Sequence, residues 1–144
     1  YVAGLGVPRE IVDELHKNNI LVGSMCGKVR HATAAVASGC DFVVAQGTEG
    51  GGHTGTVATM ALVPQVVDAV GDKMVVVAAG GLFDGRGLAA SLALGADGVW
   101  VGTRFIATHE ARDSTYAGIV RPTLNPRAML PLPETLPPLR GHAG

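Results

Sequence analysis

The chain has 144 residues, 47% of them hydrophobic, and a formal net charge of −1. That length supports one domain with a real core, and that charge balance leaves neither a basic field for nucleic acid nor a charge run typical of a disordered tail. With 4% aromatic residues, surfaces for stacking bases are not expected either.

Taken in order, short β-branched runs alternate with helical patterns. Val2–Gly4 reads as the end of a strand. Pro8 suits the first turn of a helix, in which Ile11, Val12 and Leu15 form an apolar stripe before Asn18-Asn19 stops it. Ile20–Gly23 is a short apolar run, and a helix over Val29–Ser38 follows, closed by Gly39. Phe42–Ala45 is the next strand, then a glycine-rich loop, then a helix over Leu62–Val70 ending at Gly71. Met74–Ala79 is continuous and apolar, as expected of a parallel strand covered on both faces. Arg86–Leu94 is helical and closed by Gly95, Gly98–Val101 is a last strand, and a further helix starts at Thr103 and runs towards Glu110.

Two stretches repeat one another: Ala37-Ser38-Gly39-Cys40-Asp41-Phe42-Val43 and Ala93-Leu94-Gly95-Ala96-Asp97-Gly98-Val99. Each places glycine at a helix C-terminus, then a small residue, an aspartate and a strand. Convergent glycine caps would give the same look, but the strand-then-helix alternation along the chain favours successive copies of one βα unit around a parallel sheet. Pattern alone leaves a doubly wound sheet and a barrel open.

The end of the chain departs from this plan. Between Arg121 and Gly144 six prolines fall with no helical or strand period, so residues 113–144 are expected to form an irregular tail after a domain over residues 1–112. Cys26 and Cys40 form no CxxC pair and are expected to be buried free thiols in a reducing, cytoplasmic setting. The five histidines show no ligand spacing, so no metal is expected. No apolar run reaches the length of a membrane span. Tyr1 in place of an initiator Met suggests a fragment or a processed chain.

In parallel α/β proteins ligands collect at the carboxyl ends of strands. Three glycine-rich or polar stretches fall there: Gln46 to Gly55, Gly80-Gly81 with Asp84 to Gly87 beyond, and Gly102-Thr103-Arg104. The last two look like a phosphate cradle, because backbone N–H groups bind an anion and glycine lets it approach; a plain tight turn at Gly80-Gly81 is the competing account. Arg86 and Arg104 could touch such a phosphate or simply solvate a helix start. The usual nucleotide motifs are absent, which disfavours ATP and a Rossmann-held dinucleotide. His53 stands between Gly52 and Gly55 where almost no side chains surround it, and an imidazole is the side chain suited to proton transfer near neutrality. Glu49 reads as a solvated loop carboxylate and His31 as a surface residue.

Several of these stretches together resemble the nitronate monooxygenase family, the 2-nitropropane dioxygenase-like flavoproteins. The likeness runs from about Val2 to Ala111 and rests on Val43-Val44-Ala45-Gln46-Gly47-Thr48-Glu49-Gly50-Gly51-Gly52-His53-Thr54-Gly55, Leu62-Val63-Pro64-Gln65-Val66-Val67-Asp68-Ala69-Val70, Ala78-Ala79-Gly80-Gly81 through Gly87, and Gly95-Ala96-Asp97-Gly98-Val99-Trp100-Val101-Gly102-Thr103-Arg104-Phe105. The resemblance implies an α/β fold, the C-terminal part of a parallel (β/α)8 TIM-type barrel with about five strands present, holding FMN. It implies that Gln46 and Gly51 contact the flavin, that Gly80, Gly81, Trp100, Val101, Gly102 and Thr103 hold its phosphate end, and that His53 is the active-site histidine. The implied activity is that of an oxidoreductase, a monooxygenase that oxidises an alkyl nitronate with O₂ to a carbonyl compound and nitrite. A homo-oligomer is compatible with it, and a nucleic-acid or membrane partner is not expected. The chain departs from the family in an extra glycine at Gly50 and in lacking the early β/α units. Flavin-dependent enoyl-acyl-carrier-protein reductases and NAD(P)H:quinone reductases share parts of the pattern, and an inactive truncated FMN-binding fragment is the non-enzymatic alternative.

Overall fold

A computed structural model describes residues 1–4 and 6–106. The elements are β1 (Val2–Ala3), α1 (Arg9–Lys17), β2 (Gly23–Cys26), α2 (Val29–Ser38), β3 (Phe42–Gln46), α3 (Thr59–Val70), β4 (Val75–Ala79), α4 (Gly85–Ala93), β5 (Gly98–Trp100) and the short α5 (Thr103–Ile106). The tail over residues 113–144 lies outside the described residues, as does the continuation of α5 towards Glu110. Among the described residues no helix is long and apolar enough to cross a membrane.

All strand pairs are parallel and the sheet order is β1-β2-β3-β4-β5, the order of the chain. Each crossover therefore advances in one direction, and right-handed crossovers then place every helix on the same face. A doubly wound sheet needs a reversal of strand order, and there is none here. The arrangement is the wall of a barrel.

Register decides which residues face the helices. Ser24, Val43 and Val76 lie opposite one another, as do Cys26, Ala45, Ala78 and Val99 one layer along. Apart from Val99, these side chains are buried to 2% exposure or less. They pack, in a layer with Val12, Val22, Ala32, Leu62, Val63, Val66 and Val70, between sheet and helices. The alternate positions form the inner face. There Phe42 lies across Gly23, where a side chain would collide with its ring. Val75 and Trp100 stay 48% and 47% exposed on that same face, the side a closed barrel would fill.

The repeated aspartates have one structural job, done twice. Asp41 N–H donates to the Val22 carbonyl (2.8 Å), and its carboxylate accepts from Val22 N–H (2.7 Å). Asp97 N–H donates to the Val76 carbonyl (2.8 Å), and its carboxylate accepts from Val76 N–H (2.8 Å). Each closes the start of its own strand onto the start of the one before, which satisfies backbone groups at the amino edge of the sheet. Gly39 and Gly95 precede them with φ of 84° and 91°, in the left-handed region where a Cβ is penalised.

Two expected elements start three residues away from where the sequence pattern put them, and the other differences are of a single residue. The second strand is Gly23–Cys26 rather than the apolar run Ile20–Gly23; Ile20 and Leu21 are exposed and only Val22 joins the core. Pairing with β3 selects the strand here, and local hydrophobicity does not. Helix α3 begins at Thr59 instead of Leu62, although Pro64 sits inside it. Its extra turn is held by Glu49, described below. Both cysteines are buried free thiols.

Candidate functional site

The five strands end on one edge, so the loops after β2, β3, β4 and β5 gather there. Two of them are locked by a backbone contact. A Cβ on Gly27 would lie 2.7 Å from Gly55 N, and one on Gly55 would run into the Gly27 carbonyl. The β2–α2 and β3–α3 loops can cross this closely only with glycine at both positions. Gly55 belonged to the glycine-rich loop legible in the sequence, but Gly27 carried no signal, because its partner is 28 residues away.

Two cavities open on this edge. The first, about 390 Å³, is lined by His53, Thr54, Gly55, Gln46, Ser24, Met25, Cys26, Lys28, Arg30 and His31, among others. His53 is exposed on its rim. His31 is half-buried in the same wall, so the expectation of a plain surface residue is corrected: the first turn of α2 points it inward. Cys26 is fully buried and its thiol donates to the Ser24 carbonyl; loss of hydration pushes it up to about 11, partly offset by a hydrogen bond with the Ser24 side chain. It stays protonated at neutral pH and is no nucleophile.

The second cavity, about 470 Å³, is lined by Gln46, Gly51, Gly80, Gly81, Trp100, Gly102, Thr103 and Arg104, with Met25, Glu49 and Phe83. It thus brings together all but two of the nine site residues that the resemblance implied. His53 lines the first cavity instead, and Val101 lines neither. Gln46 and Met25 line both and form the ridge between them. The Gln46 amide Nε2 donates to the Gly51 carbonyl (2.8 Å), and a side chain on Gly50 would strike that amide. The extra glycine at Gly50 is therefore required by the Gln46 brace.

Behind this wall Glu49 ties three elements together. Its carboxylate accepts from Thr59 N–H (3.0 and 3.1 Å) and from the Thr59 hydroxyl (2.9 Å). The same hydroxyl lies 2.9 Å from the Gly80 carbonyl and 3.3 Å from that of Ala79. Glu49 is thus a remote cap for α3, whose own N-cap, Ala58, has no side-chain hydrogen bond to offer. Partial desolvation raises its pKa, but hydrogen bonds from its own N–H and from Thr59 outweigh that, and the net shift is downward. The reading of Glu49 as merely solvated is corrected accordingly.

Gly80 and Gly81 have φ of 98° and 71°. A Cβ on Gly80 would also lie 3.1 Å from Gly47 N, and one on Gly81 3.2 Å from Glu49 Cβ. Both observations are those of a tight turn packed on the β3–α3 loop. Arg86, by contrast, does not reach the cavity. It folds back on Asp84, with Nε 2.9 Å from the carboxylate, while Asp84 accepts from Arg86 N–H and Gly87 N–H as the N-cap of α4. The Arg86 hydrogen bonds, against a smaller desolvation, hold the Asp84 carboxyl below its ordinary range.

This arrangement has counterparts among known proteins. Residues 2–124 match the protein family described as nitronate monooxygenase. The (3aS,4S,5R,7aS)-5-hydroxy-7a-methyl-1-oxo-octahydro-1H-indene-4-carboxyl-CoA dehydrogenase of Rhodococcus jostii is 50% identical over 107 residues, which cover 74% of this chain and 30% of that protein. Among solved structures, FabK from Thermotoga maritima is similar at a TM-score of 0.71 and 42% identity, over 76% of this chain and 34% of its own. Nitroalkane oxidase from Streptomyces ansochromogenes is similar at a TM-score of 0.69 and 38% identity, over 74% of this chain and 33% of its own. The chain spans about a third of the length of these proteins, and its five strands are a contiguous arc of their TIM-type barrel. With a family match over most of its length, a monotonic parallel arc and the glycine-lined edge in place, the chain belongs to the nitronate monooxygenase family of oxidoreductases.

Proposed function

We propose that this chain supplies the FMN-holding, His53-bearing part of an enzyme that oxidises alkyl nitronates with O₂ to carbonyl compounds and nitrite. The observation that carries the reading is the meeting of two cavities at Gln46, with the glycine cradle on one side and His53 on the other.

The residues of the second cavity fit a flavin mononucleotide on a test internal to the fold. Gly27, Gly50, Gly55 and Gly80 are glycine because protein atoms crowd them. Gly51 and Gly102 are different: an added Cβ would meet nothing within 4 Å, and neither has a positive φ. Both border the cavity, so bare backbone there suits a flat or anionic group that must lie against it. The volume falls within the range of small-molecule sites, roughly 300–1,000 Å³. In this reading Gln46 and Gly51 lie along the ring system, and Gly80, Gly81, Trp100, Val101, Gly102 and Thr103 receive the phosphate, Val101 through its backbone. Arg104 adds positive charge on the same wall. Bound FMN supplies the electron transfer to O₂ that amino-acid side chains cannot.

His53 holds or moves a proton at an imidazole nitrogen where the substrate carbon reacts. It sits on the rim, where an incoming anion meets it. Gln46 orients the loop that carries it through the bond to Gly51. Residues 1–112 form the working portion in this proposal, and residues 113–144 are left without a role.

The test is direct. The intact protein should purify yellow, release FMN on denaturation, and form nitrite from an alkyl nitronate in air without added NAD(P)H. His53→Asn should keep its flavin and lose turnover by roughly two or more orders of magnitude. Recovery of FAD, or no flavin after reconstitution, sinks the cofactor assignment; joint loss of flavin and stability in His53→Asn makes that residue structural.

A second reading is favoured by the Rhodococcus jostii relative, whose name specifies a carboxyl-CoA dehydrogenase. Dehydrogenation of a CoA thioester, with nitronate inert, would identify it. Flavin reduction by NADH or NADPH at the rate of turnover would instead indicate the reductase chemistries that share the glycine pattern.

A further inference from the structure

The first cavity carries more positive charge than a nitronate needs. Lys28, Arg30 and His31 line it from the β2–α2 junction and His53 from the loop opposite, while no aspartate or glutamate among the described residues borders it. Other cations among the described residues have partners of their own. Lys17 meets Glu14, Lys73 meets Asp72, Arg86 meets Asp84, and Arg9 donates to the Ala37 carbonyl. Lys28 and Arg30 have no such partner. They also stand at the start of α2, whose N-cap makes no side-chain hydrogen bond and whose first turn contains no acidic residue. Cations at that end oppose the helix dipole, so the described residues gather like charge around this cavity.

We propose that this cavity is a substrate subsite for a phosphate-bearing arm, with Lys28 and Arg30 as its principal contacts and His31 beside them. This rests on the preceding reading for the placement of the reacting end at His53. A nitronate carries one negative charge and is met at the rim. Two permanent cations lining the same cavity, beside a helix start whose N-cap makes no side-chain hydrogen bond, suit a group of higher charge. The flavin phosphate does not account for them, because Gly80, Gly81 and Gly102 lie in the other cavity, across the Met25–Gln46 ridge. The arm is either a small phosphate ester or the phosphates of a nucleotide-type carrier such as coenzyme A.

The experiment is calorimetric titration of the intact protein, saturated with FMN, with inorganic pyrophosphate and separately with coenzyme A, each at low and high salt. Both anions should bind, more weakly as salt rises, and Lys28→Gln/Arg30→Gln should weaken binding at least tenfold with flavin content unchanged. Arg104→Gln, on the other cavity, should leave the anion affinity as it was. Coenzyme A binding well ahead of pyrophosphate supports the carrier form of the proposal, and equal affinities support a small phosphate ester. No binding of either anion, or equal binding by the double variant, overturns the proposal. So does a loss in Arg104→Gln that matches the loss in the double variant. Should the double variant misfold, each single variant serves: a several-fold loss supports the subsite and an unchanged affinity refutes it. In flavin-free protein a loss of anion affinity in Lys28→Gln/Arg30→Gln that exceeds any loss in Arg104→Gln still supports the subsite, and an equal or smaller loss refutes it, so failure of the flavin assignment is separable from failure of this one.

Discussion

Thr59→Val removes one hydroxyl from the point where the His53-bearing loop, α3 and the Gly80 turn converge. Thr59 is 5% exposed, and valine matches its shape, so the change creates no cavity. The hydroxyl has one proton but three acceptors around it: Glu49 Oε2 at 2.9 Å, the Gly80 carbonyl at 2.9 Å and the Ala79 carbonyl at 3.3 Å. Only one can receive the proton at a time, so the loss is that of one strong hydrogen bond and not of three. A bond to a charged acceptor is worth about 1.5–3 kcal/mol, and a neutral one about 1. Water reaching Glu49 recovers part of the first, so about 2 kcal/mol is expected. At an m-value of about 2 kcal/mol/M in urea this moves the unfolding midpoint by about 1 M with the slope unchanged. The Gly80 turn loses its brace as well, and FMN affinity should fall several-fold, measured by fluorescence titration of the intact protein. Thr59→Ser keeps the hydroxyl and should restore most of both losses. A Thr59→Val protein within about 0.5 kcal/mol of the parent, the usual scatter of neutral substitutions, with unchanged FMN affinity, would refute the brace.

The glycines should separate into two classes. Gly55→Ala forces the two crossing loops apart and should cost about 1–3 kcal/mol, as overpacking does, whereas Gly51→Ala and Gly102→Ala should leave urea stability nearly unchanged and weaken FMN; equal stability losses in all three would defeat the assignment of open backbone to the cofactor. Asp41 makes a pH prediction. Desolvation raises its pKa, but the Val22 N–H and the His16 ring (Nε2 to Oδ2, 2.9 Å) more than compensate, and the folded value lies below the ordinary 3.8. Its contribution is therefore complete above the ordinary value and lost as pH falls through the lower, folded one. Asp41→Asn should remove part of the acid-side slope of stability and leave the pH 6–8 plateau flat; an unaltered acid limb in urea titrations would contradict this. Finally, residues 1–144 expressed alone should associate or bind FMN weakly, because among the described residues β1 and β5 are the open edges of the sheet and Val75 and Trp100 lie exposed on the inner face. A monomeric product with full nitronate turnover in gel filtration and nitrite assays would show that this arc suffices.

Much of this molecule was written locally. Helix α2 ends where Gly39 demands a left-handed backbone, β4 (Val75–Ala79) falls within the continuous apolar run Met74–Ala79, and Asp41 and Asp97 repeat because each βα unit needs the same closure at its amino edge. Period, cap residues and glycine placement are properties of a few neighbouring residues, so a single chain read in order reveals them. The same reading placed Gln46, Gly51, Gly80, Gly81, Gly102 and Thr103 at one edge, since parallel strands all end there. What it could not give was anything decided between distant segments. That β2 is Gly23–Cys26, and not the more apolar Ile20–Gly23, follows from register with Phe42–Ala45. That Glu49 caps α3, that Gly27 must yield to Gly55, and that Arg86 turns back onto Asp84 while Arg104 faces the cavity, depend on loops brought together by the sheet. The choice of a barrel wall over a doubly wound sheet also lies at this level, because both use the same βα units and differ only in the order in which those units pair. Local free energies select the elements; the division of His53 and the glycine cradle into two cavities on either side of Gln46 exists only once five strands share one edge.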